Sequence, residues 1–129
     1  MARFVGQTAS EVFAMKVSEY HKQGLKNWVD EKPEGYERLG QEARSGVHRV
    51  SFFARIADGK LADVRFNSSR RCRKLLALAD LAAEKLRGQP ADDYSLEPEE
   101  LLNFFAEERN KETMRARVDL ILQALKKVG

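Results

Sequence analysis

The chain has 129 residues, of which 43% are hydrophobic and 33% charged, and its 23 basic and 20 acidic side chains leave a net charge of +3. This length suits one domain, residues 1–129, built on a single core that buries roughly two-thirds of the unfolded surface, and the composition excludes a disordered chain. So balanced a charge excludes a protein devoted to coating nucleic acid, and no apolar run reaches the roughly 18 residues that cross a bilayer.

The opening MARFVGQTASEVF has no basic flank followed by an apolar stretch, so neither export nor membrane insertion is expected. Thr8 and Glu11 form a Thr-x-x-Glu capping box. Behind it Val12, Phe13, Val17, Tyr20, Leu25 and Trp28 recur at helical spacing, which predicts a first helix ending in the loop Asp30–Gly35. Gly24 weakens its last turns by about 1 kcal/mol relative to alanine.

From Val47 the period becomes two. Val50, Phe52, Ala54 and Ile56 share one face of a strand, and beyond the turn Asp58-Gly59 a second strand places Ala62, Val64 and Phe66 on one face. The two pair antiparallel, and Tyr36–Glu42 is the candidate for a third, edge strand. Leu75, Leu76, Ala79, Ala82, Ala83 and Leu86 then mark a helix that stops at Gly88 and Pro90, with Cys72 at its start. Pro98 opens a short helix over Glu99–Glu107. A last helix follows Asn110, its apolar stripe formed by Met114, Val118, Ile121, Leu125 and Val128. The fold class is therefore α+β, a small antiparallel sheet of two to three strands packed against four to five helices.

Candidate chemistry centres on Arg70-Arg71-Cys72-Arg73-Lys74, four cations around a thiol at the start of a helix. Both the cations and the helix amides favour a thiolate, the form that ligates iron or zinc, attacks disulfides or carries a persulfide, and the pattern favours these chemistries equally. The plain alternative is a small cysteine packed under the helix beside solvated arginines. The same four cations are a candidate surface for an anion or partner. As the single cysteine, Cys72 has no internal disulfide partner, and a cytoplasm would keep it reduced. His48 continues one face of its strand toward the loop that carries Cys72, whereas His21 has no partner suggested by spacing. The sequence contains no phosphate loop, no paired-cysteine zinc spacing and no serine-protease order, so an enzyme is not expected.

The stretch Asp63-Val-Arg-Phe-Asn-Ser-Ser-Arg-Arg-Cys72, followed by an alanine- and leucine-rich helix ending at Arg87-Gly88, resembles the NifU/IscU family of iron-sulfur cluster assembly scaffolds. The resemblance covers nearly the whole chain and implies the SufE/NifU fold. In that family three cysteines and an aspartate surround the metal. Cys72 matches the second cysteine, Ser45-Gly46 stands where the first belongs, His48 where the aspartate does, and Glu112-Thr113 near the third. The resemblance thus implies a divergent scaffold-like protein of cluster biogenesis, binding metal or a partner around Cys72. A mixed site of Cys72, His48 and Glu112 for iron or zinc is one candidate, and an iron-sulfur cluster shared by a homodimer is another. A domain without cofactor is a third.

Two relatives of the same fold supply alternatives: a SufE-like persulfide carrier using Cys72, and a cysteine-depleted interaction subunit of a redox or lipoate-ligase complex. The partners implied are proteins, namely a cysteine desulfurase, a redox-complex subunit or an acceptor protein. Nucleic acid and membrane are not expected. Arg65, Arg70, Arg71, Arg73 and Lys74 cluster with no aromatic residue among them beyond Phe66, which lies on the apolar face of its strand.

Overall fold

The computed structural model describes residues 15–126. The Thr8–Glu11 box, Val12, Phe13 and Val128 lie outside them. Within this range the chain is α+β, with the order α1 (Val17–Gln23), β1 (Glu37–Ser45), β2 (His48–Ala57), β3 (Lys60–Ser68), α2 (Arg73–Leu86), α3 (Pro98–Phe104) and α4 (Lys111–Leu125). The strands form one antiparallel sheet in the order β1-β2-β3.

Helix α1 is shorter than its apolar spacing predicts, ending at Gly24 with φ of 88° instead of running to Trp28. The cause is a competing acceptor. Asp80, fully buried in α2, accepts the backbone N–H groups of Lys26 and Asn27 at 3.0 and 2.8 Å and the Tyr20 hydroxyl at 2.6 Å. Burial, followed by this hydrogen bond and the nearby negative charge, pushes the Tyr20 phenol well above its ordinary range. Freed from the helix, residues 26–29 run beside β3: Phe66 donates its N–H to Asn27 O, Val29 donates to Phe66 O, and Asn67 Nδ2 reaches Val29 O.

The other end of that edge is covered as well, since Leu61 N–H bonds to Gln89 O, Gly88 N–H to Leu61 O and Ala91 N–H to Gly59 O. Between them Arg87 donates to Val64 O at 3.1 Å and to Asp63 Oδ1 at 3.1 Å. Asp63 also accepts from Arg65 Nε at 2.7 Å and from the Tyr36 hydroxyl. Burial alone would raise the Asp63 carboxyl, but its bonds to Tyr36 and Arg65 and the charges of Arg65 and Arg87 outweigh this and lower it.

The β2–β3 hairpin turns on Asp58 and Gly59, both with positive φ, as a type I′ turn requires. A register shift follows Arg55, so that Ile56 faces Leu61 and not Ala62. As a result Leu61 is fully buried while Ile56 is 38% exposed, correcting the simple alternation predicted for both strands. The third strand is real and longer than predicted, reaching Ser45. Its bulge lies between Leu39 and Ala43, where Gly40, with φ of 59°, presses against the end of α4; a Cβ there would lie 2.1 Å from Ala124 O.

Helices α2 and α4 pack together, α2 against β3 and α4 against β1 and β2. One continuous core joins Val50, Phe52, Val64 and Phe66 of the sheet to Leu75, Leu78, Leu86, Met114, Val118 and Ile121 of the helices. Each such large side chain removed from water contributes about 1.5–3 kcal/mol. Helix α3 is also shorter than predicted, since it ends at Phe104, and Phe105 turns into the core, edge-on to Tyr20. No helix among the described residues is long and apolar enough to cross a membrane.

Candidate functional site

The start of β2 and the end of β3 lie side by side, with Val50 opposite Ser68. The loop that leaves β3 is fastened to β2 by Ser69 N–H on Arg49 O at 3.1 Å and Arg49 N–H on Ser69 Oγ at 3.2 Å. This sets Cys72 at the N-cap of α2, with extended backbone. Its side chain is partly exposed and packs on the margin of the core, so the sulfur is neither free in solvent nor enclosed by aliphatic groups.

The cation that touches the sulfur comes from another helix. Arg117, halfway along α4, donates Nε–H to Cys72 Sγ at 3.3 Å, and its Nη2 lies 3.0 Å from His48 Nε2. A guanidinium only donates, so Nε2 is the acceptor and the imidazole proton sits on Nδ1. That Nδ1 is buried and has no hydrogen-bond partner among the described residues. A proton on Nε2 would face the Arg117 donors. Burial first, and then the Arg117 charge, lower the His48 pKa from its ordinary 6.5.

The four flanking cations have different surroundings. Arg70 is 73% exposed, 3.7 Å from Asp30, with its guanidinium 4.8 Å above the Trp28 ring. Lys74 turns to Glu108 at 3.2 Å, and Glu108 also holds Val17 N–H at 2.8 Å. Arg71 and Arg73 are exposed and form no ion pair among the described residues. Of the predicted site residues, Cys72 and His48 are thus brought to a common partner, Arg117, which the sequence reading missed. A signal for it existed: Arg117 stands three residues after Met114, next to Val118 and four before Ile121, on the apolar stripe of α4.

Glu112 does not join them. It is exposed on the first turn of α4 and forms no hydrogen bond or ion pair among the described residues. Five residues separate it from Arg117, a rotation of about 140° around the helix with about 7.5 Å of rise, so the two occupy different faces. Among the described residues no three His, Cys, Asp or Glu side chains come together in a group that could hold a metal ion.

The donors also do not fit a metal as arranged. A tetrahedral zinc would need the sulfur at about 2.3 Å and the imidazole at about 2.0 Å, and a two-iron cluster four ligands where this chain has one thiol. Both acceptor atoms are already directed at a guanidinium, and a divalent ion about 4 Å from that charge would meet about 8 kcal/mol of repulsion at an effective dielectric constant near 20. What the arrangement can do is hold a sulfur and a neutral imidazole in fixed positions around an internal cation, beside exposed arginines.

Fold and site together define a small α+β domain with a cation-centred polar cluster at one end of its sheet. No protein-family model and no curated protein matches the chain.

Proposed function

We propose that the chain is a protein-binding domain of the SufE/NifU scaffold shape, a divergent relative of iron-sulfur cluster assembly scaffolds that has kept the partner face and not the cluster. The order of elements supports this kinship: one helix, three antiparallel strands, a helix opened by Cys72, a short helix and a long terminal one. So does the contact between Arg87 and Asp63, which joins the two ends of the motif on which the resemblance rests. The observation that carries the functional reading is Arg117, whose guanidinium sits between Cys72 Sγ and His48 Nε2 and engages the lone pairs that both atoms would otherwise offer to a metal.

With Cys72 Sγ and His48 Nε2 both engaged by Arg117, the outward feature of this end is positive charge, from Arg70, Arg71 and Arg73. The partner is therefore a protein with an acidic docking face, such as a redox-complex subunit, a cysteine desulfurase or an acceptor protein. Rim charges of this kind act on association rate and partner choice more than on raw affinity.

The test combines metal analysis with co-purification. Anaerobic incubation with iron and sulfide, or with zinc, is expected to leave the wild-type chain without bound metal. A tagged chain is expected to retain its partner from native extract, with Arg71→Glu losing it while keeping its circular dichroism spectrum. Metal that the wild type binds and Cys72→Ser does not would overturn the reading in favour of a metal site. A gain of one sulfur atom in mass on Cys72 after exposure to a cysteine desulfurase would overturn it in favour of a sulfur carrier.

A further inference from the structure

Beside the Cys72 cluster, on the α1 side of α2, lies a groove of about 430 Å³ lined by His21, Leu25, Trp28, Arg70, Arg73 and Leu76. Its composition is divided. Leu25, Trp28 and Leu76 make an apolar floor, all three packed against the core, while Arg70 and Arg73 stand at the rim and no acidic residue lines it. Arg70 is held over the indole at 4.8 Å, and His21 Nε2 lies 3.0 Å from Arg73 O, which joins the two walls.

We infer that this groove is the docking site for a short acidic segment of a partner protein, one that inserts a single large apolar side chain between carboxylates. The inference rests on the reading of the chain as a protein-binding domain and names the chemistry of what it binds. Charge complementarity supplies the argument. Two exposed arginines flank an apolar floor; Arg73 has no carboxylate partner among the described residues and Arg70 meets only the exposed Asp30, at 3.7 Å, so a carboxylate beside the anchor would find Arg73 unpaired and could displace Asp30 from Arg70. Small-molecule sites instead converge polar groups inside the cavity to fix orientation, whereas here the charged groups lie at the mouth. Tryptophan and arginine are also the residue types that dominate binding energy at protein interfaces.

Trp28 is the single tryptophan of the chain, so its emission reports on this groove alone. The experiment selects a random peptide library displayed on phage against the immobilised full chain, counter-selecting on the exposed-residue variant Arg70→Glu/Arg73→Glu. The expected consensus is one large apolar residue flanked by aspartate or glutamate, and the corresponding synthetic peptide should shift Trp28 emission saturably. Binding to the double variant should fall by about tenfold or more, equivalent to about 1.4 kcal/mol. No enrichment over the counter-target, a consensus lacking carboxylates or anchor, or equal affinity for both proteins would each overturn the inference. Dimers in sedimentation that the double variant loses would overturn it in favour of a second copy of the chain. The two readings fail separately: metal held through Cys72 defeats the protein-binding domain without touching the peptide titration, and a failed selection defeats the groove without touching metal content.

Discussion

Replacing Asp80 by alanine is expected to release residues 24–29 from α2. The carboxylate is the acceptor for three donors with no other partner among the described residues, the Tyr20 hydroxyl and the N–H groups of Lys26 and Asn27, whereas Asn27 Nδ2 keeps Glu84 at 2.9 Å. An orphaned buried donor costs about 1–3 kcal/mol. Water entering the space left by the carboxylate offsets part of this, so the expected loss is about 3–5 kcal/mol, a large share of the roughly 5–15 kcal/mol available to a domain. Asp80→Asn keeps one oxygen for the two backbone donors and offers an amide to the Tyr20 oxygen, and should cost less than half as much. The assay is urea unfolding followed by Trp28 emission and circular dichroism, with amide exchange at Lys26 and Asn27 as the local readout. A loss below about 1 kcal/mol in Asp80→Ala, or equal losses in both variants, would refute the reasoning, because acceptor capacity would not then be what holds this segment.

Gly40→Ala is expected to destabilise by about 2–4 kcal/mol, combining the left-handed penalty of about 1–2 kcal/mol with overpacking against Ala124 O, and a melting temperature within about 2 °C of the wild type would contradict it. His48 should titrate below 6.5 in NMR, and Arg117→Gln should move it part of the way back, since burial remains when the charge is gone; an unchanged midpoint would contradict the contact. Because its folded pKa is lowered, the unfolded chain takes up that proton first, so stability declines as pH falls below about 6.5 and levels off beneath the folded pKa. Asp63, Glu84 and Glu108 are lowered from their ordinary 3.8, 4.5 and 4.5, so their stabilisation is present above about pH 4.5 and is lost as pH falls through the folded values; urea midpoints at a series of pH values should show both limbs, the acid one reduced in Asp63→Asn.

The α+β class, the antiparallel β2–β3 pair and the Cys72 helix start were legible because they rest on local pattern: alternation in β2, an aspartate-glycine turn, and four-three spacing in the helices, whereas the polar composition of β1 left it only a candidate edge strand over Tyr36–Glu42. The misplaced details came from contacts distant in sequence. Helix α1 stops at Gly24 because of Asp80, more than fifty residues away, and that acid was visible only as an odd charge within the apolar run Leu75–Leu86. Ile56, expected on the buried face, is turned outward through one register shift that leaves Leu61 buried opposite it, which no composition signals. At the site, the cations adjacent to Cys72 in sequence drew attention, yet the one bonded to it is Arg117, 45 residues on.

The covering of β3 at both ends, by residues 26–29 and by 88–91, decides how other chains can approach. A bare strand is a template on which a foreign strand can lay itself, which serves both for recruiting extended peptides and for runaway self-association. On this side of the domain that route is shut by the chain's own backbone. Recognition here must be written in side chains, where a single arginine can change the choice of companion without altering the frame that carries it.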